Sequence, residues 1–401
     1  MAENFDVVVV GARCAGSSLA LLLARRGYRV LVLDRAELGS DTSSTHLLHP
    51  PGVAAMARWG LLDALVATGC PPLGTYSFDF GPFVISGAPG EADNPVGYCP
   101  RRTVLDRLLA EAAAKSGAEL RDRFSVTELI TEDGAVAGVR GHGPGGHTAT
   151  ITARVVVGAD GPQSTVAKAV DAERYHDRTV LMATYYSYWS DLPGKGFEVC
   201  IRGDDGFGTI PTNDGLTVLV GGWPHEQMTA HRDDVEGKFR SLIATAPDLA
   251  GRFEGAQRES RWVGMAVPNF FRKPFGPGWV LLGDAGYIKD PITGQGMSDA
   301  FRSAEHCADA LDAVLSGARP WADAMGEFHA ARDSAAMPMF DFTCQVATAG
   351  PPPPELGALL AAVSASPEAS HGFARMWSGV LSPADFFAPD NVGRIMAGAP
   401  A

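Results

Sequence analysis

The chain has 401 residues, 46% of them apolar, with a net charge of −13 and a pI near 5.2. Such a length can bury a large core and predicts two domains, while the negative balance argues against nucleic acid or an anionic membrane as partner. No apolar run reaches the roughly 20 residues that a membrane span needs. The six cysteines (Cys14, Cys70, Cys99, Cys200, Cys307 and Cys344) stand apart from one another. That spacing fits reduced thiols and argues against a disulfide framework, a structural metal site or a redox CxxC pair. The first strand begins almost at once, so no signal peptide is expected and the expected location is cytoplasmic.

In chain order, residues 5–10 read as a strand, Gly11-Ala12-Arg13-Cys14-Ala15-Gly16 as a turn, and 17–26 as a helix. A second strand over 29–33 ends at Asp34, with Arg35 beside it. A dinucleotide fingerprint needs a glycine for the tight turn, one where the backbone meets a pyrophosphate, and one where helix packs on strand. It also needs an acid about twenty residues on for a ribose hydroxyl. Gly11, Gly16 and Asp34 fit. Arg13 stands where the middle glycine belongs, which questions close backbone approach there but offers a guanidinium to the phosphates.

Residues 50–70 carry a helical apolar period, 76–85 alternate as a strand or two, and 103–115 form another helix. A hairpin follows over 136–151, turning at 143–146, and then a buried strand over 154–157 that leads into Gly158-Ala159-Asp160-Gly161. Between about 176 and 265 the character changes to short strands over 180–189, 197–201, 206–210, 217–222 and 260–265, with one helix near 234–246. This reads as a mostly antiparallel sheet inserted between two parts of a nucleotide-binding domain. Its aromatic content predicts an apolar substrate pocket lined by Tyr185, Tyr186, Phe207, Ile210 and Trp223.

The most informative stretch is 279–296, WVLLGDAGYIKDPITGQG. An apolar strand stops at Gly283-Asp284, and a Pro/Gly-rich turn through Pro291 opens a helix near Met297. An acid just past a strand can accept hydrogen bonds from sugar-like hydroxyls. The helix start at Gly294, Gln295, Gly296 and Met297 presents N–H groups and positive dipole to an electron-rich edge. Together these would hold the ribityl chain and pyrimidine edge of a flavin. Farther on, the four prolines 351–354 predict a stiff extended connector, then a short helix and a tail carrying Trp377, Phe386 and Phe387.

Taken in order, these segments resemble the flavoprotein monooxygenases of the p-hydroxybenzoate hydroxylase type. GADGPQSTV at 158–166 is similar to that family's "DG" motif, through Asp160, and Arg102 with Leu105-Asp106 is similar to its arginine near the flavin phosphates and ribityl chain. The resemblance implies an α/β (α+β) fold, a Rossmann-like FAD-binding domain with an inserted, mostly antiparallel β-sheet substrate domain. Residues 1–75, 97–175 and 266–345 would form the first, 76–96 and 176–265 the second, and 346–401 a C-terminal extension. It implies that NAD(P)H, docking transiently, reduces FAD. Dioxygen would then form a flavin hydroperoxide that passes one oxygen to an aromatic or polyketide-like small molecule.

Where such hydroxylases carry His and then Pro-Pro, this chain has Tyr287 and then Lys289-Asp290-Pro291, closer to flavin-dependent halogenases and geranylgeranyl reductases. The resemblance to halogenases stops short of their chemistry. The first lysine is Lys115, past the segment for a catalytic one, and the Gly206–Pro211 segment lacks tryptophan. A flavin-dependent reductase of carbon–carbon double bonds remains the alternative, and a non-catalytic flavoprotein the third reading. His46 and His49 are candidates to relay a proton or contact the flavin phosphates, and Tyr287 to gate the site. A satisfied structural histidine is the favoured reading for the first two, and packing alone the alternative for Tyr287. No third ligand joins the histidines, so no metal is expected.

Overall fold

Glu3–Val10 lies between two parallel neighbours, Thr148–Gly158 and Val30–Leu33, in a computed structural model that describes residues 3–348, 350 and 352–398. Trp279–Leu281 continues this sheet on one side and Glu119–Arg121 on the other, again in parallel. Val7, Val8 and Val9 are wholly buried, as are Leu31 to Leu33. Strands covered on both faces read as unbroken apolar runs, and these do. The helix Cys14–Arg25 starts three residues before the expected Ser17, because Gly11, Ala12 and Arg13 suffice for the turn. It packs between the helices Arg102–Lys115 and Gly296–Leu315.

The strands expected over 148–151 and 154–157 are one strand, Thr148–Gly158. Thr148–Thr152 pairs antiparallel with Ala135–His142, while Ile151–Gly158 runs parallel to Glu3–Val10. Ser125–Glu132 pairs outside Ala135–His142 and went unread in the sequence because its burial does not alternate. The helix expected over 50–70 is two, Pro50–Arg58 and Leu62–Ala67, parted at Gly60, whose φ of +69° no continuing helix tolerates.

A second sheet runs Gln257–Arg258, Met182–Ser190, Thr217–Pro224, Asp205–Pro211, Phe197–Arg202, Tyr76–Asp79, Val84–Gly87. Val263–Met265 also pairs with Met182–Ser190, and the one parallel pairing on this path joins Phe197–Arg202 to Tyr76–Asp79. Because side chains alternate across a strand, the sheet has two unlike faces. Tyr186, Tyr188, Ile210 and Val218 face one way. Tyr185, Trp189, Phe207 and Trp223 face the other, against Phe239, Leu242 and Leu249 of the helices Val235–Ile243 and Pro247–Phe253.

The C-terminal part differs from expectation. Pro351 lies outside the described residues. Pro353 caps a helix, Pro354–Ala365, and three more follow: Pro367–Trp377, Pro383–Phe386 and Pro389–Met396. Proline's fixed φ suits the first turn of a helix, where its missing N–H costs nothing, so these prolines start helices instead of extending the chain. Val363, Phe373, Trp377 and Phe386 then cover the inner sheet face, Trp377 lying 4.8 Å and Phe373 5.1 Å from Phe78, ring to ring. Among the described residues no helix is long and apolar enough to cross a membrane.

Candidate active site

The strand ends of the parallel sheet open on a cleft of about 520 Å³. Its walls come from the two loops singled out in the sequence, which here meet. Gly11, Arg13, Cys14, Ala15, Asp34 and Arg35 line one side, Gly283, Asp284, Pro291, Gly294, Gly296 and Met297 the other, and Arg102 and Asp160 the flanks. Of the expected cofactor residues, Gly16 and Gln295 do not line it. Gly16 is a packing glycine: a Cβ there would stand 1.8 Å from the Gly11 carbonyl oxygen. Gln295 donates from Nε2 to the Trp377 carbonyl at 2.7 Å, tying this loop to the C-terminal helices.

At the first loop, Gly11 has a φ of +109°, and a Cβ would sit 2.3 Å from the Ala159 carbonyl oxygen, so only glycine fits. Arg13 adopts ordinary extended backbone (φ −98°, ψ −164°), so no glycine is required there. Its Nη1 is buried without a partner. No side chain caps the helix that follows. A lone guanidinium nitrogen beside a bare helix N-terminus suits an anion such as a pyrophosphate. Asp34 accepts from Ala12 N at 2.7 Å and Ala36 N at 2.8 Å, leaving lone pairs for sugar hydroxyls.

On the flanks, Asp160 accepts from Thr165 N at 2.6 Å through one oxygen, and its other oxygen is buried and unpartnered. Arg102 makes a two-pronged pair with Asp106 (2.9 and 3.0 Å), and Asp106 also accepts from Cys14 Sγ at 3.3 Å. Asp284 opens to the cleft in a ring of protein. Desolvation lifts its pKa to about 6, opposed by Arg102 and Lys289. The helix Gly296–Leu315 also starts with no side-chain cap, so a second bare N-terminus faces the cleft. The cleft thus brings together two glycine turns, a buried, unpartnered guanidinium nitrogen on Arg13 and carboxylate acceptors suited to sugar hydroxyls.

His46 and His49 are both fully buried. His49 bridges Tyr76 Oη and the Thr293 carbonyl oxygen, each at 2.9 Å. A carbonyl only accepts, so Nε2 carries the proton and Nδ1 accepts from the tyrosine. Both nitrogens are engaged, and burial lowers the pKa to about 4. His49 thus ties the start of Pro50–Arg58 to the loop at Thr293. His46 holds a left-handed backbone (φ +60°), bonds Tyr188 Oη through Nε2 at 2.7 Å, and leaves Nδ1 buried and unpartnered. Burial, with the Arg102 charge, lowers its pKa to about 3. Tyr287 does line the cleft, but its ring is stacked on Phe271 at 4.9 Å and its hydroxyl faces Lys289 at 3.3 Å, which fixes it in place.

The expected substrate residues divide by face. Tyr186 and Ile210 lie on the inner face, whereas Tyr185, Phe207 and Trp223 pack outward against helices. From this sheet's side the cleft is lined by Met265 and, just beyond, Val267. The sequence reading missed Lys289 and Asp299, both buried and both lining the cleft. Among the described residues no group of three or more His, Cys, Asp or Glu could hold a metal ion.

Similar proteins include the digeranylgeranylglycerophospholipid reductase of Methanocella arvoryzae, 29% identical over 76% of each chain. The rifampicin monooxygenase of Streptomyces venezuelae is 27% identical over 84% of this chain and 70% of that one. The aklavinone 12-hydroxylase of Streptomyces peucetius is 29% identical over 78% of this chain and 68% of its own. Among solved structures, a flavoprotein/dehydrogenase from Cytophaga hutchinsonii superposes with a TM-score of 0.83 at 19% identity, covering 99% of this chain and all of that one. The myxobacterial chondrochloren halogenase CndH does so at 0.80 and 22% identity, over all of this chain and 98% of its own. At these identities the structural likeness speaks for the fold. A family model described as "FAD binding domain" matches residues 4–343, so this chain belongs to that family and is an FAD-dependent oxidoreductase.

Proposed function

We propose that the chain is a single-component monooxygenase that takes electrons from NAD(P)H and places one oxygen of dioxygen in an aromatic or polyketide-like small molecule. When bound, FAD supplies the electron transfer and the oxygen activation. The chain's own residues hold it, orient it and keep water away. Arg13 and the first turn of Cys14–Arg25 would take the pyrophosphate, and Asp34 the ribose hydroxyls. Asp284 and Arg102 would take the ribityl chain, and the first turn of Gly296–Leu315 the electron-rich ring edge.

The observation that carries this reading is the packed end of the cleft around Gly294. A Cβ on Gly294 would stand 2.9 Å from Leu47 Cδ2, and His49 locks the neighbouring Thr293 carbonyl. The C-terminal helices close the sheet behind it. Such packing excludes water, which oxygen transfer requires. Met265 and Val267 add an apolar wall suited to an aromatic ring. The reductases among the similar proteins favour a second reading, reduction of carbon–carbon double bonds. Turnover under isotopically labelled dioxygen, with NADH or NADPH and a panel of phenols and polyketides, separates the two. Label in the product supports the first reading; a saturated, unlabelled product overturns it.

A further inference from the structure

Lysine is almost never fully buried unless paired, yet Lys289 is 8% exposed and lines the cleft just after the short strand Tyr287–Ile288. Its ammonium is hydrogen-bonded to the Asp299 carboxylate and lies 4.9 Å above the Tyr287 ring. Asp299, also on the cleft wall, takes a second bond, 2.6 Å long, from Arg302. Two cations share one anion, so the group carries one net positive charge. Asp299 sits in the first turn of Gly296–Leu315, where the helix N–H groups already concentrate positive potential.

A buried ion pair is a weak source of stability, since desolvation offsets most of its attraction. Its place on the wall of a cofactor cleft suggests another use. Alone, Asp299 would set a negative charge where a reduced flavin gathers its own; Lys289 and Arg302 reverse that sign. We propose that Lys289, Asp299 and Arg302 set the reduction potential of FAD in the cleft, their excess positive charge favouring the reduced, anionic form. This rests on FAD occupying the cleft and not on which substrate is oxidised.

The field of the pair spans the site. Beyond the desolvation that dominates both groups, Lys289 lowers and Asp299 raises the pKa of Asp284 and of His49. Asp299 itself stays ionised, because Lys289 and Arg302 outweigh the burial that opposes its charge. The bond from Lys289 to Asp299 joins the strand that leaves the Gly283 turn to the helix whose first turn lines the cleft.

The test is the midpoint potential of the FAD-loaded protein, read spectrophotometrically against a reference dye. FAD content and affinity for oxidised FAD are measured first, so loss of the cofactor is told apart from a change in its potential. Lys289→Met should lower the potential by about 30 mV or more, the equivalent of a tenfold change in relative affinity for reduced and oxidised FAD. Asp299→Asn should raise it, and Lys289→Arg should leave it in place. A purely structural role would move Lys289→Met and Asp299→Asn the same way. That result, or an unchanged potential in Lys289→Met, overturns the proposal. Should Lys289→Met not fold, Arg302→Gln, at the more exposed end of the group, reads the same field. A fall supports the proposal and no change overturns it.

Discussion

Gly283 rests on Ala15: a Cβ built on Gly283 would stand 2.8 Å from the Ala15 Cβ, inside van der Waals contact. The first loop and the second thus touch at a point where neither can gain an atom. Gly283 also has a φ of +57°, a backbone that other residues adopt at a cost. The cleft exists because these two turns close on each other at the ends of Glu3–Val10 and Trp279–Leu281, the strands on either side of Thr148–Gly158.

Gly283→Ala should therefore loosen both loops together. The left-handed backbone costs about 1–2 kcal/mol and the overpacking about 1–3 kcal/mol. A lowered melting temperature and a tenfold or larger rise in the FAD dissociation constant are expected, read by calorimetry and by flavin fluorescence. Gly326→Ala, where a Cβ meets nothing within 4 Å inside the helix Trp321–Ala347, is the control. It should gain about 0.5–1 kcal/mol with FAD affinity unchanged.

Desolvation by the cleft walls pushes the Asp284 carboxyl up from its ordinary value to about 6, against the pull of Arg102 and Lys289. Its charged form is the better acceptor for sugar hydroxyls. FAD affinity should accordingly fall as pH drops through about 6 and level off above it. Fluorescence titrations across that range check this, and Asp284→Asn should flatten the dependence. Asp284→Ala should weaken binding roughly 10- to 100-fold, the value of a hydrogen bond to a charged group.

Burial pushes the pKa of His46 down to about 3 and that of His49 down to about 4, so both contribute to stability on the acid side. Both values lie below the ordinary 6.5, so the unfolded chain binds protons between about pH 6.5 and 4 that the folded chain does not. Stability therefore falls as pH falls through that window, by up to about 1.4 kcal/mol per pH unit for each histidine. Asp284 and Asp290, raised to about 6, act in the opposite sense. Urea denaturation of His49→Gln should show lower stability at neutral pH and a shallower loss toward acid.

Trp223, wholly buried on the outer sheet face, should matter for folding alone. Trp223→Ala is expected to cost about 3–5 kcal/mol in chemical denaturation while leaving FAD affinity unchanged.

The two loops were legible because their glycines answer to local geometry: Gly11 and Gly283 have backbones or neighbours that only glycine allows. The antiparallel sheet was legible from alternation. Which face looks inward was not, since a period of two separates Tyr185 from Tyr186 without saying which meets the cofactor domain. That choice is made by the helices at 235–253 and by the C-terminal helices, which compete for the two faces. The latter were hidden behind prolines that can extend a chain or start a helix. Lys289 left one signal, a lone cation in an apolar segment with Asp299 ten residues on, and only the fold brings the two together.

The most direct measurement is a titration of the folded apoprotein with FAD, followed by the flavin absorption spectrum, for the wild-type chain and for Gly283→Ala and Asp284→Ala. A stoichiometric end point with a perturbed spectrum in the wild type, and weakened uptake in both variants, is the expected result. A correctly folded wild-type chain that takes up no FAD, or variants that take it up equally tightly, would contradict the account.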